Sequence, residues 1–455
     1  MPQRAPNGRL AVLLEATSWS AADLARAVNS LGAAQGLPLR YDRTAVAHWL
    51  RGSRPRDPVP DLVAQALSLR AGRLIPAEET GLTRPGGLPG ADVPPPGAGE
   101  QGGGGITRLV ALCGQDADPG QRASLIGITY APAVCPPAGR GPGASRPGPR
   151  DTSRPSADEQ FLGTMVELFA GLVRTHGGAR LRSALAACLA DNAARLAPVA
   201  AGEAADPRVL GHCGRLTHLL GSMTADTAHH GLAHEYYTLA LELARESGDR
   251  AGYAITLRVM SAQALSLGHI RRAHSLADSA VRHAGRDDPA VTAFVLAQRG
   301  HTRAACRDEK GALSDLDASG DAHRRADGRG GGAFTSYPRA GIEYRRARTL
   351  QVLRRPEEAV HAFRSSVQHR DPGQHRSYAL TQARLAEALV ADGRLEAACA
   401  HWDVFLDHYP HVAGSNAAGR ALARMLQQAR SFPRQRQAME LIERGRSFPD
   451  RPPRY

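Results

Sequence analysis

His230 and His234 lie one helical turn apart in the run His229-His230-Gly-Leu-Ala-His234-Glu235, a spacing that metal ions use. No thiolate or acid is placed by sequence to complete a coordination shell, and Ala233 and Tyr237 put the run inside a repeating helical pattern. Packing histidines are the expected reading. Gly102–Gly105 and Gly330–Gly332 lack the preceding strand, the following helix and the lysine that a phosphate-cradling loop needs, and read as loops. The pairs Glu78/Glu79 and Glu357/Glu358 read as helix-start acids on exposed turns, not as an acid–base couple. Neither Gly-x-Ser-x-Gly nor His-Glu-x-x-His occurs. The expectation is a binding protein with no catalytic residues, no metal and no cofactor.

The elements behind these residues repeat. The pairs Gly221/Ala233, Ser261/Ala273, Gly300/Ala312, Ala347/Ala359 and Ala386/Ala398 are each twelve residues apart, and their second members recur at intervals of 40, 39, 47 and 39. Four residues after each second member stands Tyr237, Ala277, Leu316, Phe363 or Trp402, and three further on Ala240, Ala280, Ser319, Ser366 or Phe405. Two antiparallel helices approach most closely where side chains are smallest, so the spacing predicts stacked helical hairpins, none able to bury its apolar face alone. The long interval contains Arg325-Ala-Asp-Gly-Arg-Gly-Gly-Gly332, which predicts a loop insertion of about the excess length. The chain resembles tetratricopeptide repeats at the small eighth position, the alanine at twenty, the aromatic slot at twenty-four and the small residue at twenty-seven. The resemblance covers about residues 205–410. The unit is longer than the usual stretch of about 34 residues, and the first-helix Trp and closing Pro are mostly absent. Helices at Phe161–Arg174, Leu181–Leu196, Asn416–Arg430 and Arg434–Arg444 are expected to cap or extend the array. In repeats of this family two first-helix positions usually line a concave groove. That implies Arg258, His301, Tyr344, Arg348 and Glu387 as partner-facing residues and a protein or peptide as the ligand.

Residues 8–82 predict a compact helical module. Ser20-Ala-Ala-Asp23 is a helix start with a hydroxyl cap and a carboxylate three residues in. Asp42 is a second N-cap candidate, followed by a helix whose Val46, Trp49 and Leu50 face inward. Arg43, Thr44, Ala47, His48 and Arg51 then face outward, and residues 40–56 carry five arginines against one acid. A short helix with a small, basic outer face suits the DNA major groove, with Arg51, Arg54 and Arg56 placed to grip phosphates. Leu-Ala-Arg at 24–26 and Val-Ala-His-Trp-Leu-Arg-Gly at 46–52 resemble the helix-turn-helix of phage-repressor-like (XRE) regulators. With Pro-Arg-Asp-Pro at 55–58 and the repeats, the chain resembles the helix-turn-helix plus tetratricopeptide regulators of actinobacteria, some of which act on antibiotic production and sporulation. The resemblance implies that Arg43, Thr44 and His48 read base edges of double-stranded DNA. Thirteen residues, Asn29 to Tyr41, stand where this motif usually has three or four. The rival expectation is an interaction scaffold whose head does not read DNA.

Composition bounds both readings. At 455 residues the chain exceeds one core, and its formal charge is +13. Of 57 basic residues only Lys310 is lysine, an arginine bias that, with abundant Ala, Gly and Pro, fits a GC-rich genome and discounts charge as a sign of nucleic acid. The six cysteines are scattered without a Cys-x-x-Cys, so thiols in a cytoplasmic protein are expected. No segment has the length and apolarity to span a bilayer, so no membrane partner is expected. The overall expectation is an all-α protein: a helix-turn-helix head at 8–82, a Gly/Pro-rich linker at 83–157 with an unassigned apolar island at 106–135, and a tetratricopeptide-like solenoid at 158–445. Its solenoid would bind a protein, a peptide or its own copy, a homodimer tethering two heads at one operator.

Overall fold

A computed structural model gives the architecture. It describes residues 6–17, 19–34, 38–56, 58–71, 75, 77–82, 105–130, 156–196, 206–285, 288–326, 332 and 334–448. Both Gly/Pro-rich stretches of the expected linker lie almost wholly outside these residues, as do 327–331 of the expected insertion. Among the described residues every regular element is helical.

The small N-terminal domain is built from α1 (Gly8–Thr17), α2 (Ala21–Ala34), α3 (Arg43–Leu50) and α4 (Val59–Ala71), closed by a single 3-10 turn at Ala77–Thr80. Ser20 and Asp23 cap α2 reciprocally: the Asp23 amide donates to the Ser20 hydroxyl at 3.2 Å and the Ser20 amide to the Asp23 carboxylate at 2.9 Å. Asp42 accepts from the Ala45 amide at 2.9 Å and starts α3. Leu24, Val28, Val46, Trp49, Leu62 and Leu67 fill the core, each nearly excluded from solvent. At about 1.5–3 kcal/mol per buried side chain of this size, such burial holds a domain of short helices together. The long α2–α3 connection divides in two. Helix α2 runs on through Ala34, and Asn29 then pins the returning chain by bonding both the amide (2.9 Å) and the carbonyl (2.7 Å) of Tyr41.

The island at 106–135 contributes α5 (Gly105–Ala117) and α6 (Pro119–Ile126). Helix α5 packs against α8 (Arg182–Leu196), which follows α7 (Ala157–His176). Leu109 and Cys113 join Leu185 and Leu189 in one core. Asp116, fully buried at the end of α5, receives Arg182 at 2.7 and 2.8 Å and the Tyr236 hydroxyl at 2.5 Å. Removing the acid would strand a buried guanidinium, so the node fixes α5 on the repeats.

Five hairpins follow: α9 (Pro207–Asp226) with α10 (His230–Ser247), α11 (Arg250–Ser266) with α12 (Ile270–His283), α13 (Pro289–Ala305) with α14 (Glu309–Ala326), α15 (Arg339–Val352) with α16 (Pro356–Gln368), and α17 (His375–Ala391) with α18 (Leu395–Val412). Helices α19 (Asn416–Ala429) and α20 (Arg436–Arg446) cover the end. The small residues lie where the two helices of a hairpin meet. The Ser261 hydroxyl donates to the Ala273 carbonyl at 2.7 Å, and a Cβ on Gly300 would stand 3.0 Å from the Ala312 carbonyl oxygen. Tyr237, Ala277, Leu316, Phe363 and Trp402 are all sealed from solvent one turn on. Ser319 and Ser366 donate to the Ala293 and Ala340 carbonyls, each in the first helix of its own hairpin. Phe405, the exception to that small-residue position, is fully buried and packs edge-on against Tyr409.

All five hairpins turn the same way. Seven residues after each small first-helix residue the backbone enters the left-handed region: Ala228, Gly268, Arg307, Arg354 and Gly393, at φ 71°, 97°, 67°, 59° and 75°. The amide that follows bonds back to the fifth residue before it, as in His229 to Thr224 and Arg394 to Leu389. This Schellman closure satisfies the last carbonyls of the first helix and reverses the chain.

Candidate partner-binding groove

The first helices of the hairpins stand on the inner side of a superhelix that closes on itself. Helix α7 lies between α9 of the first hairpin and α17 of the fifth. At the junction Arg376 of α17 binds Asp226 at the end of α9 at 2.6 and 3.1 Å, and the Ser415 hydroxyl donates to the same carboxylate at 2.8 Å. Burial alone would raise the Asp226 carboxyl; Arg376 and Ser415 outweigh it and hold the group below its ordinary value. Gly178 lies so close to Met223 that a Cβ would collide with that residue's backbone.

The five residues expected to face a partner come together on this inner surface. Arg258 on α11 stacks over the Phe294 ring at 4.0 Å. His301 on α13 is buried and sits 3.3 Å from the Thr349 hydroxyl of α15. Desolvation, then Arg345, Arg348 and Arg258 around it, push its pKa well below the ordinary value and keep the ring neutral. Tyr344 and Arg348 lie one turn apart on α15, the tyrosine packed edge-on against Phe363. Glu387 on α17 binds Arg384 at 2.7 Å and Arg424 at 2.9 Å. Convergence of residues from four hairpins is possible because they stand on the inner face of a closed curve.

Several groove residues escaped sequence reasoning. Arg345 and Arg384 each stand two residues before the small position of their repeat, a register visible in the sequence. Arg420 and Arg424 enter from α19, beyond the five repeats. Residues 334–338, between α14 and α15, pack against the first helices α9 and α13. There Phe334 meets His218 of α9 edge-on at 5.1 Å, and Tyr337 lies 4.3 Å from Phe294. The 47-residue interval therefore carries aromatic side chains to the groove, where its sequence read only as a loop. His230 and His234 lie in the first turns of α10, with His234 buried edge-on to Tyr130 at 5.2 Å.

On the N-terminal domain, Arg43, Thr44, His48 and Arg51 are exposed, as are Arg54 and Arg56, and Ala47 is half-buried. Val46 and Trp49 point into the core behind them. Eight residues separate Ala34 from Arg43, against about three or four in a helix-turn-helix. Among the described residues no helix is long and apolar enough to cross a membrane.

Comparison with known proteins gives a family match to the N-terminal domain and similarity to solved structures. The family described as SP15 N-terminal domain matches residues 10–83. Among solved structures, the chain is similar to one titled as the APC/C hetero-tetramer Cut9–Hcn1, at 15% identity and a TM-score of 0.34, covering 63% of this chain and 47% of that one. The chain thus spans about half the length of the solved chain it matches. No curated protein matches it.

Proposed function

We propose that the protein is a non-enzymatic interaction scaffold whose solenoid takes a peptide or protein segment of a partner along its inner face, and that it works in the cytoplasm. The observation that carries this is the convergence of Arg258, His301, Tyr344, Arg348 and Glu387 from α11, α13, α15 and α17 on one groove. Mixed aromatic and charged side chains on a concave, preformed surface are what a peptide segment needs for both burial and register. The test is selection of displayed random peptides on the full chain and on its Tyr344→Ala/Arg348→Ala variant. Peptides enriched by the parent and lost from the variant support the groove. Equal enrichment on both would move the binding face elsewhere.

A second reading concerns the head. The outward face of α3, with Arg43, Thr44, His48 and Arg51 exposed over a buried Val46/Trp49 stripe, favours double-stranded DNA as a further partner. On that reading the protein is a regulator: Arg43, Thr44 and His48 read bases, Arg51, Arg54 and Arg56 hold phosphates, and the solenoid's partner or a second copy sets how the head engages its operator. Sequencing duplexes retained from a randomised pool at near-physiological salt is the measurement. A motif present for the parent and absent for Arg43→Ala/His48→Ala supports it; retention without sequence preference returns the head to the scaffold.

A further inference from the structure

Among the described residues, the groove holds more positive charge than its own acids neutralise. Arg376 is matched by Asp226, and Arg384 and Arg424 share Glu387. Arg258, Arg345, Arg348 and Arg420 form no ion pair among the described residues. The Nε atoms of Arg258, Arg345 and Arg348 are buried without a hydrogen-bond partner. Burial, with neighbouring arginines adding to it, pulls Arg258 down to about 9 and Arg348 to about 10. Tyr344 reports the same field: burial raises its pKa, yet Arg348, Arg384 and Arg345 together bring it below the ordinary tyrosine value. The segment packed on α9 and α13, Phe334-Thr-Ser-Tyr337, carries no acid and leaves the imbalance standing.

Unpaired guanidiniums crowded into a partly dehydrated groove destabilise the folded chain, since each must give up water without gaining a counter-charge. A ligand that supplies carboxylates recovers that cost, and guanidinium–carboxylate bonds are among the stronger polar contacts available. We infer that the groove binds an acidic peptide segment, its carboxylates meeting Arg258 on α11, Arg345 and Arg348 on α15, and Arg420 on α19. This rests on the groove being the partner site and adds the partner's chemistry. The spacing follows from the scaffold. Packed helices stand about 8–10 Å apart. An extended chain advances about 3.3 Å per residue, so acids three residues apart match one helix step, and acids about six apart match the two-helix steps from α11 to α15 and from α15 to α19.

The probe is a labelled peptide of roughly 12 residues with aspartate at every third position, enough for four extended repeats of that spacing. It is titrated into the full chain beside its lysine counterpart and a single-stranded oligonucleotide of equal charge. The aspartate peptide is expected to bind and the lysine peptide not. Arg345→Gln/Arg348→Gln is expected to weaken binding about tenfold or more, since two of the four charged contacts are lost. That variant should also melt at a higher temperature, because two unpaired half-buried charges are gone; lower affinity with higher stability excludes simple unfolding. Arg345→Lys/Arg348→Lys should retain most of the affinity. Equal binding of both peptides, preference for the oligonucleotide, or unchanged affinity in the Gln variant would overturn the inference. If random peptides still depend on Tyr344 and Arg348 while the aspartate peptide fails, the acidic chemistry falls and the peptide groove stands. If no peptide binds in either experiment, both fall.

Discussion

Asp226 and Arg376, 150 residues apart in the chain, share an ion pair with N–O distances of 2.6 and 3.1 Å and join the first hairpin to the fifth. The guanidinium is held above its ordinary pKa, first by the Asp226 charge, while the acid is held below its own. Both shifts say that each partner is better off charged here than in the unfolded chain.

Asp226→Ala should therefore cost about 3–5 kcal/mol, since it leaves Arg376 without its partner in a buried junction. Urea denaturation measures the loss, and small-angle scattering should show a larger radius of gyration as the junction opens. A variant with unchanged midpoint and radius would show that packing of α7 alone closes the superhelix.

The hairpin turns predict gains. Ala228, Arg307 and Arg354 hold left-handed backbone that glycine adopts without a Cβ clash. Arg307→Gly and Arg354→Gly should each stabilise by about 0.5–1 kcal/mol, and roughly add. Gly393→Ala runs the experiment in reverse: no atom lies within 4 Å of the added Cβ, so its loss isolates the backbone term. Thermal midpoints of the three variants and their pairwise combinations check the sign.

Gly300 tests the small-residue rule. A Cβ there would be 3.0 Å from the Ala312 carbonyl and 3.3 Å from the Asp315 Cβ. Gly300→Val should push α13 from α14 and cost about 1–3 kcal/mol. Exchange protection of the α13 and α14 amides should fall with it.

Acid should unfold the repeats before it titrates the native core. Burial lowers His218 to about 3 and His230 and His234 to about 4, and holds His301 well below its usual value. Unfolded, these rings take protons near pH 6.5. The unfolded state thus binds more protons below that point, so full stability stands above about pH 6.5 and declines as pH falls toward 4. Each ring contributes about 1.4 kcal/mol per pH unit within its window. His218→Gln and His301→Gln should flatten the midpoint-versus-pH curve between pH 6.5 and 4.

The repeats were legible because packing restricts them locally: where Gly300 meets Ala312, nothing larger fits, and the constraint recurs within one hairpin. The caps of α2 and α3 were legible for the same reason, Ser20/Asp23 and Asp42/Ala45 being three residues apart. The groove residues could be counted from the small position, yet their electrostatics could not, because Arg258 meets the field of Arg345, and Arg420 that of Arg384, only after distant hairpins curve together. The island at 106–135 resisted reading for another reason. Its apolar face is short, and its helix is fixed by Asp116 reaching Arg182 and Tyr236, 66 and 120 residues away. Nor did any local signal say that the longest interval would carry Phe334 to His218.

An open array of hairpins is modular. Each unit touches only its neighbours, and a unit can be gained or lost while the others keep their interfaces. Meeting of first and last hairpins at Asp226 and Arg376 removes that freedom. Deleting one hairpin would leave a gap that no remaining surface fits, and adding one would push the two ends past each other. Copy number is thereby a geometric requirement, and the repeats should melt in a single cooperative transition where an open array would fray from its ends.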